Sequence, residues 1–161
     1  MSDAGGWFAP VVSLTLALVL AVLPLPQIAD SFRPDWVAMV MLYWSLVAPQ
    51  RVGLLTALVV GLILDTLTGA RLGQHPLALL TIVYLLQRFH FQIRAFPASQ
   101  VMLIVVVLLG LYEFILFWID GVAGRTVPMI DRWLPVLTGA VLWFAMLFGV
   151  ERSRVDTGAR M

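Results

Sequence analysis

Two acidic residues stand where an ionised side chain is most costly. Asp65 lies in the apolar run 52–69 and Glu113 in the apolar run 99–119. A charge at the centre of a bilayer costs about 2.5–3.5 kcal/mol on insertion scales, so neither side chain is expected to face lipid. Each sits a few residues from the end of its run. At about 1.5 Å per residue this places Asp65 roughly 6 Å and Glu113 roughly 9 Å below the same interface, in one leaflet whichever way the chain is oriented. Two chemistries fit such a pair. One is structural, with Asp65 neutral or bonded to a neighbour such as Thr68, Tyr84, Tyr112 or Arg71. The other is an intramembrane polar site, a pocket or ion site opening towards that interface.

The run bearing Asp65 has a second pattern. Gly53, Ala57, Gly61, Asp65 and Gly69 recur every four residues, which places them along one helix face. Small side chains at that spacing allow another helix to approach closely, so Asp65 is expected on a protein-facing packing seam. Ala17 and Ala21 form a second such pair in the first apolar run.

The elements that position these residues follow from composition. Of 161 residues, 61% are hydrophobic and 12% charged. Soluble domains average about 45–50% apolar and about 25% charged. Mean hydropathy is +0.99. The surplus of apolar side chains must face something apolar, and hydrocarbon is the natural candidate. The expected fold is an all-α integral membrane protein, a single multi-pass domain over 1–161. Six spans are predicted: 7–29, 34–48, 52–69, 74–86, 99–119 and 133–150. The second and fourth are short for a bilayer. Pro34, Pro76 and Pro135 stand near predicted helix starts, where a missing N–H costs least. Pro24 and Pro26 should kink or end the first span.

With six spans both termini share one face. That face carries Arg51, Arg88, Arg94, Arg152, Arg154 and Arg160, against Arg33, Arg71, Arg125 and Arg132 on the other. The excess of Arg favours cytoplasmic termini. The first span has no basic residue before it and no evident cleavage site, and reads as a retained helix rather than a signal peptide.

Much chemistry is excluded. With no cysteine there are no disulfides or thiolate sites, and a net charge of +1 gives no case for nucleic-acid binding. No phosphate loop, His-Glu-x-x-His or Gly-x-Ser-x-Gly motif occurs, and no catalytic residue, metal site or cofactor is expected. His75 and His90 fall at opposite faces and read as separate interfacial residues. The segment from Arg88 to Arg94 alternates polar and apolar residues. It reads either as an extended stretch docking Phe89, Phe91 and Ile93 or as an interfacial connector.

Several stretches resemble the rod shape-determining protein MreD family: Arg33-Pro34-Asp35-Trp36, then Tyr43-Trp44, then Ala48-Pro49-Gln50-Arg51-Val52-Gly53. Gly61-Leu62-Ile63-Leu64-Asp65 with Gly69 and Leu72-Gly73 is similar to that family's most recognisable segment. Glu113-Phe114 with Phe117-Trp118 fits its later helix. The resemblance covers roughly residues 30–120. It implies a non-enzymatic inner-membrane scaffold of the bacterial rod (elongation) complex, supporting lateral peptidoglycan synthesis and cell shape. Implied partners are an MreC-like protein, the actin-like MreB, RodA, a class B penicillin-binding protein and membrane lipid. The family's likeness to the S components of energy-coupling-factor transporters implies an alternative, a substrate-binding membrane component of a small-molecule transporter. In that reading Ala17 and Ala21 would meet a coupling partner.

Overall fold

The structure, a computed structural model, describes residues 4–24, 26, 32–124 and 133–145, and all its regular elements there are helices. In chain order these are α1 (Ala4–Val22), α2 (Trp36–Val47), α3 (Leu54–Thr68), α4 (Gln74–Arg88), the short α5 (His90–Arg94), α6 (Ala98–Val122) and α7 (Trp133–Ala145). Local chemistry sets the boundaries. α1 stops two residues before Pro24, α2 lies between Pro34-Asp35 and Pro49, and Pro97 precedes α6. Gly69 ends α3 in the left-handed conformation at φ 64°, which a side chain would oppose.

The helices form a bundle with α4 at its centre, against α3, α6 and α2; α1 rests mainly on α2. α7 closes over α6 and α2, with Gly139 against Leu109 and Met39. Met41, Leu42, Leu79, Ile82, Val105, Leu109 and Tyr112 are the fully buried centre. The outward faces are also apolar: Phe8, Leu16, Leu55, Leu103 and Val107 are all exposed. That is the reverse of a soluble surface and matches a bundle solvated by lipid.

The span expectations need correction in length. Among the described residues one stretch, Ser99–Val122, is long and apolar enough to cross a bilayer by itself. Trp7–Val22, Trp36–Val47, Leu54–Thr68 and Trp133–Ala145 are shorter apolar helices. The first falls short of its expected end because Pro24 cannot continue the hydrogen-bond ladder. Residues 25, 27–29 and 146–150 of the expected spans lie outside the described residues, as do Arg125, Arg132, Arg152, Arg154 and Arg160 of the orientation count.

The segment after α4 is not extended. Residues 90–94 make one helical turn, with Ile93 buried and Phe91 at 88% exposure. A strand needs a neighbour to pair with, and an all-helical bundle offers none.

Candidate functional site

At the C-terminal end of α3 the main chain reverses over Gly69, and both parts of Asp65 hold the reversal. Its carbonyl oxygen accepts from the N–H groups of Gly69 and Ala70. Its side chain reaches on to the next helix. Oδ2 accepts from the Gly73 N–H at 2.5 Å, and Oδ1 from the His75 N–H at 3.0 Å. His75 Nδ1 lies 2.7 Å from the same Oδ1. Asp65 thus caps α4 from outside that helix.

The donors at the start of α4 can be counted completely. Gly73 and His75 give theirs to Asp65, Gln74 to the Arg71 carbonyl, Pro76 has none, and Leu77 bonds back to Gly73. The carboxylate, its side chain fully shielded from solvent, also lies at the positive end of the α4 dipole.

Two further ties lock this end of the bundle. Buried Gln74 donates through Nε2 to Asp120 Oδ1 at 3.2 Å, and Arg71 donates to the Ala123 carbonyl at 3.0 Å, so the end of α6 is held to the α3–α4 loop. Arg33 donates to the carbonyls of Ala21 and Leu23, satisfying acceptors that the end of α1 would leave open. Arg33, Asp35, Thr68, His75 and Tyr112 surround a small cleft of about 110 Å³.

The expected partners of Asp65 are elsewhere. Thr68 donates to Leu64, Arg71 donates to Ala123, and Tyr84 is half exposed. Tyr112 is buried with its ring 6.4 Å from that of His75, and Asp35, Glu113 and Asp65 are its acidic neighbours.

Glu113 is buried as well, but lies further from the end of its helix than Asp65 does. α6 runs three residues beyond the expected end, to Val122. Glu113 is therefore about 13 Å from the end of its helix and Asp65 about 4.5 Å from the end of its own. The two acids stand at different distances from their helix ends, because α6 runs on beyond residue 119.

Ala57 and Gly61 face α4 of the same chain. A Cβ on Gly61 would fall 2.6 Å from both Cα and N of Pro76. Gly53 is the N-cap of α3, near Gln87, and Gly69 is its C-cap. Ala17 is buried in the core, and Ala21 lines the small cleft. With Ala17 already covered, that pair is not a free surface for a coupling partner.

His75, Gln74 and Arg33 were not read from the sequence as part of this arrangement. A signal existed: Pro76 marks a helix start, and its upstream N–H groups need an acceptor that Gly73 cannot supply. Replacing His75 with alanine removes the ring contact but leaves the backbone N–H in place. The expected loss is about 1.5 kcal/mol, at the lower end for a hydrogen bond to a charged group, measurable by denaturation of the purified protein in detergent.

Among the described residues, no group of three or more His, Asp or Glu side chains could hold a metal ion. The family described as rod shape-determining protein MreD matches residues 1–149 of the chain. A curated Rod shape-determining protein MreD from Haemophilus influenzae is 28% identical over 114 residues, which is 71% of this chain and 70% of that protein. No solved structure matches the chain.

Proposed function

The chain belongs to the MreD family and has a role in rod shape determination; on that premise, we propose that it is a non-enzymatic inner-membrane scaffold of the elongation machinery. It binds an MreC-like protein and, through a larger complex with MreB, RodA and a class B penicillin-binding protein, supports lateral peptidoglycan synthesis. It crosses the membrane several times with both termini in the cytoplasm. The observation that carries this reading is the family match over residues 1–149.

The geometry narrows how a scaffold of this kind could work. The small-residue seam on α3 is filled by α4, so a partner's transmembrane helix must meet the outward apolar side chains of the bundle. Asp65 and His75 serve this scaffold by fixing α3 to α4, while α6 carries two further buried acids, Glu113 and Asp120.

The transporter-component reading has less support. Its ligand would need a cavity of about 300–1,000 Å³. At the end of the bundle that holds Asp65, where that reading places its outward-opening cavity, the cleft lined by His75 offers about 110 Å³.

Depletion of the protein from a rod-shaped host tests the proposal. The expected result is rounding of the cells, with an MreC-like protein recovered when the tagged full chain is purified in mild detergent. Rods of normal shape with a defect in nutrient uptake would overturn it in favour of the transporter reading.

A further inference from the structure

The two ends of the bundle differ in charge. The end described above carries Asp35, Asp65 and Asp120 beside Arg33, Arg71 and His75. At the opposite end the α2–α3 connection packs against the C-terminus of α4 and α5. Residues 47–53 and 87–94, which build it, contain Arg51, Arg88, Arg94 and His90 but no Asp or Glu. An open groove of about 770 Å³ lies there, lined by Trp44, Val47, Arg51, Gln87, His90 and Phe91 among others.

Helix C-termini present carbonyl oxygens, which repel an anion. Here the Leu46 carbonyl in the last turn of α2 and several carbonyls of the α2–α3 connection are engaged. Gln87 Nε2 donates to the carbonyls of Pro49 and Val52 at 3.2 and 3.1 Å. His90 Nε2, on a side chain nine-tenths buried, lies 3.3 Å from the Leu46 carbonyl. The Ala48 carbonyl accepts from the N–H groups of Arg51 and Val52. The groove lining carries Arg51 and no acidic side chain.

The apolar part of the rim is suited to a membrane surface. Val47 is about half exposed, and Phe91 is almost wholly exposed. These lie beside a cationic side chain whose planar guanidinium matches phosphate oxygens two at a time. Aromatic side chains settle at headgroup depth, where phosphate is the commonest anion.

We propose that this groove binds the phosphodiester headgroup of an anionic phospholipid, with Arg51 as its principal cationic contact. The site rests on the membrane reading of the chain but not on its role in cell shape, since lipid retention and cell rounding are measured separately.

The test is native mass spectrometry of the full chain, purified in detergent, delipidated and titrated with phosphatidylglycerol or phosphatidylcholine. Phosphatidylglycerol should be held at least tenfold more tightly. Arg51→Gln should abolish that preference, and Arg71→Gln, at the other end of the bundle, should keep it. Equal retention of the two lipids would overturn the proposal, as would an equal loss in both variants, which would mark a diffuse charge effect. Sodium phosphate at millimolar concentration should leave the lipid bound; full displacement would assign the groove to a soluble phosphate instead. Should Arg51→Gln fail to fold, Arg51→Lys decides. It keeps the charge without the planar fork and should weaken retention about threefold, and an unchanged affinity would overturn the assignment.

Discussion

Gly61→Ala should be among the most damaging single-methyl additions in this protein. The added carbon would fall 2.6 Å from Cα and from N of Pro76, where ordinary carbon contacts lie at about 3.5–4.0 Å. Both obstructing atoms are backbone, so no rotamer change relieves the clash. α3 and α4 must separate by about 1 Å, against the capping bonds one turn further on at Asp65. Overpacking costs about 1–3 kcal/mol where side chains can shift, and here the expected loss is about 3 kcal/mol or more. Gly110 in α6 is the matched control, because a Cβ there meets nothing within 4 Å. Gly110→Ala should be neutral or stabilising by up to about 1 kcal/mol through helix propensity. Denaturation of both variants in one detergent measures the contrast. Equal midpoints would show that α3 and α4 do not approach as described.

Asp65→Ala should be at least as severe, for a different reason. It removes the acceptor of two backbone N–H groups and of the His75 ring while those donors stay buried. Breaking a buried charged arrangement from one side costs about 3–5 kcal/mol, more than the 0.5–2 kcal/mol typical of an exposed cap. Loss of folded protein from the membrane, and with it loss of rod shape, is the expected result. Asp65→Asn separates capping from ionisation. The amide keeps one carbonyl oxygen in place of two carboxylate oxygens, so it should retain part of the cap and lose about half as much stability. If Asn supports normal shape and normal protein level, Asp65 acts as a hydrogen-bond acceptor and its charge is dispensable. If Asn accumulates to the normal level yet cells round, charge at Asp65 matters beyond the fold.

The sequence carried the positions of α2, α3, α4 and α6 to within about three residues, because Pro and Gly punctuate long apolar runs. The close approach at Gly61 was legible too, since only small residues recur on that face. What it approaches was not. A repeat of small residues says that something packs there, and only the turn geometry shows that the chain folds back to supply it. The partner of Asp65 was missed for a related reason. His75 follows ten residues later across a loop whose left-handed glycines, Gly69 and Gly73, set its path. Side-chain type alone pointed instead to Tyr and Arg as hydrogen-bond donors, whereas two of the three contacts to the carboxylate come from main-chain N–H groups. Of the two readings of residues 88–94, the extended one is excluded by the short turn of α5, because polar–apolar alternation over seven residues says nothing of the backbone without a neighbouring strand.

The cap supplied across the loop carries a consequence for biogenesis. α4 is the most polar of the long helices, with Gln74, His75, Thr81 and Gln87 along it, and it cannot finish its own first turn. Leaving the ribosome it would be a poor candidate for insertion by itself. α3 emerges first and brings the missing acceptor with it, so the two are expected to enter the bilayer together as a helical hairpin, with the first completing the second during translation.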